Sequence, residues 1–276
     1  MIVSGQFSFG KVSISVENEA FGNRLQRVYE LDRESERDAP DYFIRIDDLS
    51  EGTSSRYRVA APSEGLRICS SWAEVAGAVD HFFDATIRAS VSPSLVTLHA
   101  SSAVLNKGAI AFVGRSGSGK TTLSLELAHS SGEYLGDEYA FYRLDSGAYF
   151  HEKHPARLKQ QGAIEGVLSL PAISDRGVAS FAFSPASIGL PQITGSHKLE
   201  AIFFPRFSPR MRQTSIARAS LLELPSLLLP SVAGTGDRAR LFRTLIGSFA
   251  CHGVRLFTMQ YGNSSDAVAR IIDQLG

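Results

Sequence analysis

Apolar residues near the start of the chain recur at about every second position. Phe7, Phe9, Val12, Ile14 and Val16 largely alternate with polar residues, interrupted at Gly10-Lys11. A period of two belongs to half-buried strands, and the interruption predicts a hairpin. Residues 42–46, 56–60 and 66–69 repeat the pattern in shorter runs separated by Ser, Gly and Pro turns, which predicts further strands of one sheet. The charged stretch 31–38 mixes both signs and reads as a solvated loop or helix face. At residue 72 the period changes. Val75, Ala76, Val79, Phe82, Phe83 and Ile87 follow helical spacing, so 72–89 is predicted to be an amphipathic helix that ends a small β-rich α+β domain over 1–90 and bridges into the domain that follows.

The second domain, 91–276, opens with two apolar runs, 95–105 and 109–113, joined by Asn106-Lys107-Gly108. Asn and Gly in so short a connection predict a tight hairpin. Residues 121–128 read as a helix, 132–142 as a strand with Asp137 and Glu138 near its entrance, and 201–204 as a short strand ending at Pro205. A leucine-rich helix is predicted over 220–229, a helix over 237–249, a strand over 254–261 and a closing helix over 264–275. Strands interleaved with helices make this domain α/β, with a mixed sheet because of its leading hairpin.

Between the hairpin and the first helix, residues 114–121 read Gly-Arg-Ser-Gly-Ser-Gly-Lys-Thr, a full match to G-x-x-x-x-G-K-[ST]. The pattern names a nucleoside triphosphate as ligand. Its glycines let consecutive backbone N–H groups turn inward around phosphates, the lysine reaches the β and γ oxygens, and the final hydroxyl ligates Mg²⁺. Gly114, Arg115, Ser116, Gly117, Ser118, Gly119, Lys120, Thr121 and Thr122 are therefore the expected nucleotide-binding residues, and the strand–loop–helix frame suits an anion at a helix N-terminus. Phosphoryl transfer also needs carboxylates for the metal and for the nucleophile. Asp137 and Glu138 fill that need, with Thr121 completing the expected Mg²⁺ set. Neighbouring strand residues face opposite ways, so the two acids are expected to differ in role. His99, between Leu98 and Ala100, reads on periodicity alone as a packed strand residue.

Composition narrows the setting. The 276 residues carry 28 Lys plus Arg against 28 Asp plus Glu, so no overall field draws nucleic acid or a membrane. Arg206, Arg210 and Arg212, beside Pro205 and Pro209, form a local basic cluster that reads as a solvated loop or as a contact for phosphate or an acidic peptide. The two cysteines, Cys69 and Cys251, fit neither a metal spacing nor a disulfide framework. With no signal-peptide pattern and no uninterrupted apolar stretch of about 18 residues, a reducing cytoplasm is the expected location.

The order His99-Ala100, hairpin, Gly-Arg-Ser-Gly-Ser-Gly-Lys-Thr, helix, Leu135-Gly-Asp-Glu-Tyr resembles the catalytic core of HPr kinase/phosphorylase, whose nucleotide fold is similar to that of phosphoenolpyruvate carboxykinase. That family has His-Gly before its loop, Gly-Lys-Ser within it and Asp-Asp after it. The resemblance covers roughly 99–142, and less specifically Pro155-Ala-Arg157 and 254–275. It implies a P-loop core using ATP and Mg²⁺, with Lys120 on the phosphates and Asp137 as the catalytic carboxylate acting on the acceptor hydroxyl. Glu138 becomes a metal or supporting group, and His99 a neighbour tuning the acid. Glu138 in the second acidic position and the different leading region depart from the phosphocarrier kinases. The arrangement is closer to HPr-kinase-like proteins of peptide-modification clusters, including lasso-peptide kinases. The acceptor implied is a serine of a peptide or protein, with 181–229 shaping its site, and the resemblance admits a homo-oligomer. A nucleotide-dependent switch or ATPase and a small-molecule hydroxyl kinase use the same residues and stay open.

Overall fold

The computed structural model describes residues 1–7, 10–33, 40–51, 54–61, 65–89, 94–131, 133–159, 170–173, 179–233 and 237–276. Phe9, Gly132 and most of the charged stretch 31–38 lie outside the described residues. The protein is mixed α/β, with several sheets.

The alternation at the start yields the expected hairpin: β1 (Ile2–Phe7) pairs antiparallel with β2 (Gly10–Val16), Val3 opposite Ile14. An unpredicted helix follows, α1 (Glu19–Val28). Its N-cap Asn18 accepts a hydrogen bond from the Phe21 amide, and it buries Phe21, Leu25 and Val28. Then come β3 (Asp32–Arg33), β4 (Tyr42–Asp48), β5 (Tyr57–Ala61), β6 (Gly65–Cys69) and α2 (Trp72–Ala89). The strands form one sheet in the order β3-β1-β2-β4-β5-β6, all antiparallel except β2 with β4. All six apolar positions predicted for α2 are buried. On the other face of the sheet, Arg45 and Arg58 converge on Asp47 at 2.5 and 2.7 Å. Burial works to raise that carboxyl, and the two guanidinium hydrogen bonds prevail and hold it below its ordinary value.

The second part starts with the hairpin of β7 (Leu95–Leu105) and β8 (Gly108–Val113). Asn106 and Lys107 both take positive φ, 51° and 72°, as a two-residue turn matched to strand twist requires. Helix α3 (Lys120–Ser131) follows, then β9 (Tyr134–Gly136), β10 (Tyr139–Arg143) and β11 (Ala148–His151). The single strand expected over 132–142 is thus broken at Asp137-Glu138. The reason is local: Glu138 has φ 67°, and the Tyr139 amide bonds back to the Asp137 carbonyl at 2.9 Å, so the ladder stops there.

Strands β12 (Ala156–Leu158), β13 (Leu170–Ile173) and β14 (Ala179–Phe183) make a separate antiparallel sheet in which β13 packs on α2. The chain then supplies β15 (His197–Phe207), β16 (Ser215–Arg218), α4 (Leu224–Leu228), β17 (Val232–Ala233), α5 (Arg238–Cys251), β18 (Arg255–Tyr261) and α6 (Ser264–Leu275). The main sheet runs β11-β10-β7-β8-β15-β18-β16, with β9 and β17 on β7. Its central strands β8, β15 and β18 are parallel, and every residue of β8 is buried, as expected of strands covered on both faces. Val113, Ile202 and Phe204 pack with Leu245 and Phe249 of α5, while rings of Phe112, Phe203 and Phe257 contact one another in the alternate row.

Two compact units result. One is Met1–Ser90 with Pro155–Ile188; the other is Val91–His154 with Gly189–Gly276. The single cut expected at 90/91 therefore misses an excursion of 155–188 into the first unit, where β13 finds α2. Arg157, in the segment to which the family resemblance extends less specifically, belongs to this excursion and pairs with Asp80 at 2.7 Å. Among the described residues no helix is long and apolar enough to cross a membrane.

Candidate functional site

Strand β8 delivers the chain at Gly114 to the carboxyl edge of the parallel strands, and α3 leaves it at Lys120. Between them Arg115, Ser116 and Gly117 are exposed, and the Ser118 amide turns back to the Arg115 carbonyl at 3.2 Å. Gly117 and Gly119 have φ of 85° and 92°, a conformation that favours glycine. Gly119 is constrained twice, since a Cβ there would lie 1.7 Å from the Tyr261 hydroxyl oxygen. That hydroxyl donates to the Ser118 carbonyl at 3.2 Å, so the end of β18 braces the loop. Burial pushes the Tyr261 phenol up to about 12, which keeps it a donor. The Lys120 ammonium curls over the loop and donates to the Gly114 carbonyl at 3.1 Å.

Thr121, on the first turn of α3, donates its hydroxyl to Asp137 Oδ2 at 3.0 Å. Asp137 is buried. Glu138 turns the other way, and its Oε2 lies 3.1 Å from His99 Nδ1. The register of β7 and β10 explains the meeting: Tyr139 stands opposite His99, and the Ala100 amide reaches the Glu138 carbonyl. The side chains of His99 and Glu138 are 39% and 20% exposed, whereas Asp137 is closed off. Thr122 is exposed one position beyond Thr121. The expected residues thus gather at one place, with the two acids engaged on different partners.

Several supporting residues carried no sequence signal. Ser102 Oγ lies 2.6 Å from Tyr149 Oη and 2.9 Å from His151 Nε2, all buried under the break between β9 and β10. Burial drives the His151 imidazole down to about 3, so it is neutral. A Cβ on Gly136 would fall 2.5 Å from that ring, so the approach to Asp137 is packed directly against it. The Tyr134 phenol is pushed well up, first by burial and then by the negative charge of Asp137. Gln192 ties the Leu135 and Glu152 carbonyls together at 3.0 and 2.9 Å. These residues come from strands distant in sequence, so no local spacing could have grouped them.

Arg206, Arg210 and Arg212 are exposed at and after the end of β15, and none makes an ion pair with a described residue. Among the described residues no cluster of three or more His, Cys, Asp or Glu side chains forms a self-sufficient metal site. The hard oxygens of Thr121 and Asp137 instead suit Mg²⁺, which takes one or two protein ligands and fills the rest with phosphate and water. No known family model and no curated protein matches this chain.

Proposed function

We propose that the protein is a Mg²⁺- and ATP-dependent serine kinase with a P-loop core of the HPr kinase type, transferring phosphate to a hydroxyl of a peptide or protein. The observation that carries this reading is the 3.0 Å contact between Thr121 and Asp137 at the end of a loop that Lys120 already overhangs. In this reading the loop amides and Lys120 hold the β and γ phosphates. Thr121 and Asp137 hold the Mg²⁺, which neutralises charge on the phosphates when bound. Glu138, the more exposed acid and oriented by His99, faces the acceptor and takes its proton. The acceptor oxygen forms a bond to the γ-phosphorus, the bond from that phosphorus to the β–γ bridging oxygen breaks, and ADP leaves with the electron pair. This exchanges the roles that family resemblance alone suggests for the two acids, because burial and the Thr121 contact favour Asp137 as the metal-side group.

The test is mass spectrometry of serine peptides and proteins incubated with ATP and Mg²⁺. One phosphate added on serine, absent with Lys120→Ala, supports the kinase. Glu138→Gln is expected to lower turnover about a hundredfold with ATP still bound, within the range of general-base contributions. Asp137→Asn is expected to weaken Mg²⁺-dependent ATP binding itself. ATP hydrolysis without a labelled acceptor would turn the reading toward a nucleotide-dependent switch.

A further inference from the structure

A loop of this kind contacts phosphates and leaves the base to another surface. We propose that Phe207 is that surface, a stacking platform for the nucleobase; this inference rests on the nucleotide-binding reading above. Strands β8, β15 and β18 run parallel, so Phe207, the last residue of β15, sits at the same carboxyl edge as the 114–119 loop, where open α/β sheets take their ligands. It stands opposite Tyr261 in the ladder, and the two rings are 5.4 Å apart. Tyr261 in turn holds Ser118, so two contacts connect Phe207 with the loop on one face of the sheet.

Exposure separates this ring from its row. Phe203, Pro205, Phe257, Met259 and Tyr261 are buried, while Phe207 is 47% exposed. Among the described residues of its unit it is the only exposed Phe, Tyr or Trp; the other large exposed apolar groups there, Leu221 and Leu222, offer no π face. The platform is also fixed. The Ser208 amide bonds to the Tyr261 carbonyl at 2.9 Å, the Met211 amide to Ser208 at 3.0 Å, and Gly262 lies so close to the Met211 carbonyl that a Cβ would come within 2.1 Å. Arg206, Arg210 and Arg212, all exposed and within five residues of Phe207 along the chain, add positive charge to this end of the strand, which suits a polyanionic ligand. A half-exposed ring backed by a buried phenol loses little freedom when a flat group stacks on it, and stacking tolerates different bases.

The experiment is calorimetric titration of the full chain with Mg²⁺-ATP and with Mg²⁺-tripolyphosphate, which has the phosphates and no base. Phe207→Ala is expected to weaken ATP about tenfold and leave tripolyphosphate unchanged. Phe207→Trp is expected to retain ATP binding and to show fluorescence quenching on addition of ATP but not of tripolyphosphate. Unchanged ATP affinity in Phe207→Ala, or equal loss for both ligands, overturns the assignment. If the unaltered protein binds neither ligand, the nucleotide reading itself fails.

Discussion

Gly119 shows how one residue joins backbone conformation to site geometry. Its positive φ costs an L side chain about 1–2 kcal/mol, and a Cβ would also displace the Tyr261 hydroxyl. Gly119→Ala is therefore expected to lower stability by at least about 1 kcal/mol and to weaken ATP binding, read by thermal melts with and without ATP. Tyr261→Phe, which removes only the hydrogen bond to Ser118, should cost about 1 kcal/mol. His151 makes a prediction of opposite origin. Its folded pKa of about 3 lies below the ordinary 6.5, so between those values the unfolded chain binds the extra proton. Stability contributed by neutral His151 is full above pH 6.5 and declines as pH falls toward 3, at most by about 1.4 kcal/mol per pH unit. His151→Gln should flatten that part of a denaturation-against-pH curve; an unchanged slope would remove His151 as its source. The loop glycines, Lys120, Thr121 and both acids were legible as a motif in sequence. Tyr261, His151, Tyr149 and Ser102 were not, because a Tyr or Ser on an apolar strand looks the same whether it packs idly or braces a loop.

At the level of elements, apolar period and turn chemistry predicted those whose local pattern is regular. Helix α2 shows its six apolar positions at helical spacing and buries all of them, and the β7–β8 hairpin shows its turn chemistry at Asn106-Lys107. In β15 the signal blurs: the strand runs from His197, four residues ahead of the apolar run that marks it in sequence, because pairing with β8 and β11 extends the ladder there. Helix α1 went unpredicted although Asn18 caps it and Phe21, Leu25 and Val28 share a face, since its polar residues outweigh a short stripe. The Phe112, Phe203 and Phe257 row, with Phe203 stacked on Phe257 and tilted against Phe112, is the interior counterpart of the Phe207–Tyr261 pair. Phe203→Ala, at a fully buried position, should cost about 3–5 kcal/mol by urea denaturation, far more than Phe207→Ala.

On the scale of the molecule, the excursion of 155–188 decides what a domain is. Within the second unit the Gln192 side chain accepts from the His154 amide at 3.3 Å, so the points where the chain leaves and re-enters that unit lie side by side. A fragment of residues 91–276 with 155–188 replaced by a short Gly-Ser linker is expected to stay soluble and bind ATP. The same fragment with 155–188 retained is expected to aggregate, because β13 has lost α2. Light scattering together with ATP titration distinguishes the two fragments.

By itself the amino-acid order determined the alternation and helical stripes, the tight hairpin and the eight-residue loop pattern with its acids downstream, all of which follow from local spacing and turn chemistry. Only the tertiary structure decided that Asp137 and Glu138 both fall in a break between two strands, that Thr121 meets one acid and His99 the other, and that Tyr261 braces the loop while packing against Phe207. It also decided that 155–188 belongs with the first unit. Those outcomes depend on strand register and on contacts between residues tens of positions apart, which no local period encodes.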